Sequence, residues 1–198
     1  MVNETPVLTG LVLAGGESRR MGRDKALLKR GAETQLDYAV RILSAVVEQV
    51  YVSARATQSD YERTRYPVIV DQYQDMGPVA GILSAMDHDP QLAWLVLACD
   101  LPNVTEDTLR SLISGRRPQQ PFTAFRSSHN DLPEPLCAVY EPGARQLLDS
   151  FVHDGVSCPR KIMIRSNTCL LRQADPAWLE NVNTPQDLAH TPLQELAG

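Results

Sequence analysis

The chain has 198 residues, 43% hydrophobic and 22% charged, which suits one folded domain whose core needs no disulfide or metal staples. A formal net charge of −5 excludes a broad cationic face for nucleic acid or anionic lipid, so any phosphate site must be a local basic patch. No run reaches the ~18 apolar residues of a membrane span, and the polar start Met1–Pro6 lacks an apolar signal core, so the cytoplasm is the expected compartment.

Val7 to Leu13 reads as a buried strand that runs into a glycine turn. Leu36, Val40, Leu43 and Val47 recur at helical spacing and predict a helix of about three turns. Gln49 to Ala54 and Pro67 to Asp71 are strand-like, and Gly77 to His88 predicts a helix with Ile82, Leu83 and Met86 on its apolar face. Ala93 to Ala98 is continuously apolar, as a strand covered on both faces should be. Further on, Leu109, Leu112 and Ile113 support a helix and Phe122 to Phe125 a strand. The polar, proline-bearing stretch Arg126 to Pro135 reads as a loop. Leu136 to Tyr140 is then a strand, and Leu147, Leu148 and Phe151 mark a helix. No internal repeat or linker interrupts the chain, and the tail after Leu188 is expected to fray.

Strands alternating with helices imply a three-layer α/β/α domain with a mainly parallel, Rossmann-like sheet. In such sheets ligands gather beyond the carboxyl ends of the strands. Gly15, Ser53, Asp71 and Asp100 all fall at such ends, so four separate segments point to one place.

The most informative stretch is Leu11-Val12-Leu13-Ala14-Gly15-Gly16-Glu17-Ser18-Arg19-Arg20-Met21-Gly22-Arg23-Asp24-Lys25. A strand enters a glycine turn, and four cationic side chains follow within ten residues. Backbone N–H groups and local positive charge are what a polyphosphate requires. Neither common phosphate loop is present. Met21 stands where the second glycine of G-x-x-x-x-G-K-[ST] belongs, Ala26 follows Lys25, and no G-x-G-x-x-G occurs here.

The pattern Leu-Ala-Gly-Gly-x-Ser-x-Arg-Met-Gly-x-Asp-Lys resembles the opening motif of the sugar- and cofactor-nucleotidyltransferases. The Gly15-Gly16 pair, with Gly77-Pro78-Val79-Ala80-Gly81 later on, is similar to the molybdenum cofactor guanylyltransferases within that group. This resemblance runs from about Thr9 to Leu188. It implies a nucleotidyltransferase fold of glycosyltransferase-A-like type spanning 1–198, with the nucleotide-binding half at about 7–125 and the acceptor half at 126–190. It also implies Mg²⁺-dependent transfer of GMP from GTP to the phosphate of molybdopterin, with release of pyrophosphate. Molybdoenzymes or cofactor-delivery proteins are the partners to expect, and neither nucleic acid nor a membrane is.

Lys25 and Arg19 are the leading phosphate ligands and catalytic cations. A unit charge pair at ~4 Å is worth about 4 kcal/mol at an effective dielectric near 20. An isolated basic side chain is usually solvated surface, and that plainer reading is kept for Arg20 and Arg23. Asp100 ends an apolar strand, where a carboxylate must be compensated, either by holding a metal or by capping the following turn. The resemblance assigns it to Mg²⁺. It also assigns Leu13, Ala14, Gly15, Gly16, Ser53, Asp71, Gly77, Pro78 and Gly81 to the nucleotide. Asp71 could otherwise be a strand-end turn residue, and the glycines with Pro78 a plain helix start. Gly77 and Gly81 are expected to let backbone approach the base.

Ser53 departs from the family pattern, which often carries Asn at this strand end. Related cytidylyltransferases tend to carry Ala where this chain has Gly15, so the double glycine favours GTP by resemblance. Arg160, Lys161, Asn181 and Asn183 are the acceptor-side candidates, with Asn183-Thr184-Pro185 otherwise a simple helix entry. The four histidines and four cysteines show no metal spacing, and Cys99 is expected in the core. Three alternatives stay open: CTP as donor, a sugar or alcohol phosphate as acceptor, or a non-catalytic nucleotide-binding role in molybdoenzyme assembly.

Overall fold

The structure, a computed structural model, describes residues 5–15, 24–128, 130–182 and 191–193. Its strands are β1 (Leu8–Leu13), β2 (Lys29–Arg30), β3 (Glu33–Thr34), β4 (Val50–Ala54), β5 (Val68–Val70), β6 (Ala93–Ala98), β7 (Phe122–Arg126), β8 (Pro133–Tyr140) and β9 (Thr168–Arg172). The helices are α1 (Gln35–Ser44), α2 (Tyr61–Thr64), α3 (Pro78–His88), α4 (Glu106–Ser114), α5 (Ala144–His153) and α6 (Pro159–Ile164). Lys25–Leu27 form a 3-10 turn.

Seven strands make one sheet in the order β5-β4-β1-β6-β8-β7-β9, and β2 pairs with β3 as a small hairpin. The run β5, β4, β1, β6 is parallel throughout, while β8 lies antiparallel to both β6 and β7. Side chains alternate across the sheet, as the two-residue strand period requires. Val12, Leu95 and Leu97 pack with Leu36, Leu43 and Leu109 from α1 and α4. Leu11, Trp94 and Val96 pack with Ile82, Leu148 and Ile162 from α3, α5 and α6. The continuously apolar β6 is thus buried on both faces, as its sequence demands.

Local signals place the helices. Thr34 and Asp37 form a reciprocal capping box on α1, and Thr105 with Thr108 forms another on α4. The first helix is shorter than its periodicity suggests. It ends at Ser44, and Val46 and Val47 turn back onto the Leu43 carbonyl. At the opposite end of the sheet from the candidate site, buried Glu141 accepts from Arg116 at 2.6 and 2.8 Å, and Arg116 also reaches the Pro6 carbonyl.

The stretch read as a loop up to Pro135 is a loop only as far as Leu132, because β8 already begins at Pro133. Proline is tolerated there for a local reason. Pro133 and Pro135 lie beyond the last residue that pairs with β6, beside a register shift in β7, where missing N–H groups break no ladder. Short elements without a long apolar pattern, α2, α6, β9 and the hairpin, were not legible in the sequence. Among the described residues no helix is long and apolar enough to cross a membrane.

Candidate nucleotide site

Because β1, β4, β5 and β6 run the same way, Gly15, Ser53, Asp71 and Asp100 reach one rim of the sheet, where a cleft of about 630 Å³ opens. All four line it, together with Leu13, Ala14, Lys25, Gly77, Pro78 and Gly81. Gly16 and Arg19 lie outside the described residues, as does Asn183.

Lys25 and Asp100 meet across this cleft. Lys25 Nζ stands 3.9 Å from Asp100 Oδ2, and both side chains are about one-fifth exposed (18% and 23%). Lys25 opens the 3-10 turn, which Asp24 caps by accepting from the Ala26 N–H at 3.0 Å. The hairpin that follows is tied to the Asp100 loop, since Arg30 donates to the Pro102 carbonyl at 2.6 Å and stacks on Tyr38. Burial pushes the Asp100 carboxyl above the ordinary range, and the Lys25 charge opposes that rise. Asp100 Oδ1 is buried without a hydrogen-bond partner among the described residues. Cys99 beside it is core, with its thiol pushed up by burial.

On the other side of β1, Asp71 and Ser53 act as a pair. Ser53 Oγ donates to Asp71 Oδ1 at 2.6 Å. Burial raises the Asp71 pKa, against which the Ser53 hydrogen bond and the Arg55 charge work. Two glycines make room for the pair. A Cβ on Gly15 would come within 3.0 Å of Asp71 Oδ2, and one on Gly81 within 2.2 Å of Ser53 Oγ. Gly81 therefore gives α3 its close contact with the sheet. Gly77 differs: its φ of +56° and ψ of −138° suit glycine, with Pro78 as the first residue of α3. The loop between is fastened by Gln72 N–H, which donates to Ser84 Oγ, and by Tyr73, whose hydroxyl donates to Asp87.

Of the acceptor-side candidates among the described residues, Arg160, Lys161 and Asn181 do not line the cleft. Lys161 is exposed on α6, while its neighbour Arg160 turns inward and bonds the Pro133 carbonyl and Glu134. Asn181 sits next to Val182, whose N–H donates to the Asp100 carbonyl at 2.9 Å, and Asn181 Oδ1 is buried without a partner among the described residues. Glu134 was missed by sequence reasoning. Continuing the β6–β8 register by three residues sets it opposite Asp100. It is almost fully buried, accepts from the Leu136 N–H at 3.0 Å, and is raised in pKa by that burial. Only the strand register could have revealed it.

Among the described residues, no three His, Cys, Asp or Glu side chains gather as a metal site. Asp100 still suits magnesium, a hard cation held by oxygen. Its Oδ1 is an unpartnered buried acceptor, and Mg²⁺ usually takes one or two carboxylates and completes its shell with water and phosphate oxygens.

A lysine following a glycine loop and an aspartate from a neighbouring strand end, converging in a cleft of nucleotide size, define an enzyme of the nucleotidyltransferase class. Residues 10–169 match the MobA-like NTP transferase domain, and the chain belongs to that family. It is 36% identical over 187 residues to the molybdenum cofactor biosynthesis bifunctional protein of a Synechocystis species; the match takes in 94% of this chain and 54% of that protein, about half its length. It is 29% identical to the molybdenum cofactor guanylyltransferase of Shewanella frigidimarina, over 91% of this chain and 93% of that one. The crystal structure of molybdopterin-guanine dinucleotide biosynthesis protein A from Archaeoglobus fulgidus superposes with a TM-score of 0.75 at 23% identity, covering 91% and 95% of the two chains; at that identity the likeness is one of fold.

Proposed function

We propose that the chain transfers GMP from GTP to the terminal phosphate of molybdopterin. An acceptor phosphate oxygen forms a bond to the α-phosphorus, the bond from that phosphorus to the α,β-bridging oxygen breaks, and pyrophosphate leaves with the electron pair. The attacking oxygen is already anionic, so no side chain needs to remove a proton. Positioning and charge neutralisation supply the rate.

The convergence of Lys25 and Asp100 in the cleft carries this reading. Lys25, with the backbone of Gly15 and Gly16 and the cation of Arg19, would clamp the phosphates. Asp100 would hold Mg²⁺, which supplies charge neutralisation at the phosphate oxygens when bound. Leu13, Ala14, Ser53, Asp71, Gly77, Pro78 and Gly81 would form the nucleoside side within residues 7–125. Guanine offers N1–H and N2–H donors on one edge, which suits a carboxylate such as Asp71, and the Gly15 backbone leaves that carboxylate room. Arg160, Lys161, Asn181 and Asn183 would face the acceptor in residues 126–190. The free thiols Cys99, Cys137, Cys158 and Cys169 fit a reducing cytoplasm. A molybdoenzyme or delivery protein would receive the product.

Incubation with Mg²⁺, molybdopterin and either GTP or CTP, read by mass spectrometry, tests the proposal. The expected product is the guanine dinucleotide. A cytosine product overturns the choice of base, and absence of pyrophosphate release with any acceptor favours the non-catalytic reading.

A further inference from the structure

One buried guanidinium joins the two ends of the phosphate loop. Arg63, on α2, has no exposed surface. Its Nη2 donates to the Ala14 carbonyl at 2.8 Å and to Asp24 Oδ2 at 2.5 Å, while Nε also reaches the Ala14 carbonyl at 3.3 Å. Nη1 is held from behind by Asp60 at 2.6 Å. Ala14 is the last residue before the Gly15-Gly16 turn, and Asp24 immediately precedes Lys25. A single nitrogen therefore sets the distance between the loop's first backbone amide and its lysine.

The geometry reaches further than an internal ion pair. The structure contains no cis peptide bond among the described residues, so the peptide from Ala14 to Gly15 is trans. Its carbonyl and the Gly15 N–H then point opposite ways. Fastening the carbonyl to Arg63, which is not part of the cleft wall, turns the Gly15 N–H to the opposite side. Asp24 meanwhile accepts from Arg63 through one oxygen and caps the turn bearing Lys25 through the other. A planar fork can bridge a carbonyl and a carboxylate at fixed spacing, which an ammonium, as a point charge on a flexible stem, does poorly.

We propose that Arg63 is a positioning residue for the nucleotide phosphates: it spaces the Gly15 amide and Lys25 for one triphosphate and acts on binding through them. This rests on the nucleotidyl-transfer reading. The test is calorimetric titration of the whole chain with inorganic triphosphate, GTP and CTP in the presence of Mg²⁺, paired with urea unfolding. Arg63→Lys keeps the charge but not the fork. Asp24→Asn keeps the cap on Ala26 and covers the case in which the first variant fails to fold. Glu141→Gln, which damages a comparable buried ion pair far from the cleft, reports what loss of stability alone does.

Arg63→Lys and Asp24→Asn should each weaken triphosphate and GTP by about tenfold or more, as expected for losing a fixed charge-assisted contact. Glu141→Gln should bind within about twofold of the parent although it unfolds at lower urea. In a Lys25→Ala background the Arg63→Lys loss should largely vanish, because coupled residues are not additive. Parent-like triphosphate binding by a folded Arg63→Lys or Asp24→Asn chain, or full additivity with Lys25→Ala, overturns the inference. If the parent prefers CTP, the reading of the base falls while the triphosphate arm still decides Arg63. A parent that binds no triphosphate overturns both.

Discussion

Ser53 Oγ lies 2.6 Å from Asp71 Oδ1 and donates to it, so a serine near the end of β4 orients a carboxylate at the cleft wall. Removing the hydroxyl in Ser53→Ala should leave Asp71 less well held and higher in pKa. The KM for GTP is expected to rise about tenfold, the scale of about 1.5 kcal/mol at the low end for a hydrogen bond to a charged group, with kcat nearly unchanged. Steady-state kinetics at saturating acceptor measure this. An unchanged KM would mean that Ser53 serves only the packing of α3.

At neutral pH, ionised Asp71 opposes folding. Its folded-state pKa is raised by burial, so the native state binds the proton more tightly than the unfolded chain does. Stability from this group is therefore present below the unfolded value and is lost as pH rises through the folded one. Asp71→Asn should be at least as stable as the parent at pH 7.5, with the difference shrinking as the pH approaches the unfolded carboxyl value near ~4. GTP affinity should fall at the same time. Thermal melts across that pH range and a nucleotide titration test the pair of outcomes.

Gly81→Ala probes the packing beneath this site. The added Cβ would meet Ser53 Oγ at 2.2 Å and Leu13 at 3.0 Å, on a helix face with no slack. Overpacking of this kind costs about 1–3 kcal/mol, and the displaced Ser53 should disturb Asp71 as well. Urea unfolding should show the loss. A variant as stable as the parent would show that α3 shifts freely.

Lys25 and Asp100 should fail in distinguishable ways. Asp100→Ala is expected to lower turnover by about 10²-fold or more, the scale of removing a group that stabilises transition-state charge. Its circular dichroism spectrum should stay unchanged. Lys25→Ala should weaken GTP binding and turnover together, leaving Asp100 without its neighbouring cation. Near-normal turnover in the first variant, or unchanged affinity and rate in the second, would remove that residue from the chemistry.

The candidate site was unevenly legible beforehand. Asp71 and Asp100 announce themselves because each ends an apolar run, where a charged group demands a reason, and Lys25 because it closes a glycine-bearing stretch dense in cations. Arg63 carries no such mark. It lies in a polar stretch with a helix of four residues, and nothing in Asp60-Tyr61-Glu62-Arg63 says that its guanidinium will be buried against Ala14 and Asp24, 49 and 39 positions away. Glu134 was hidden between two prolines that argue for a loop, until strand register set it beside Asp100.

By itself, the order of residues determined the layered architecture, the parallel run of strands and the rim at which their ends collect, since periodicity and glycine turns are properties of neighbours along the chain. Tertiary structure alone decided which charges meet: that Lys25 faces Asp100, that Arg160 turns inward to Glu134 while Lys161 does not, and that Gly81 yields its space to Ser53. The reason is the range of the forces involved. Backbone propensity acts over a few residues, whereas ion pairing and close packing depend on distances in space that only the assembled sheet establishes.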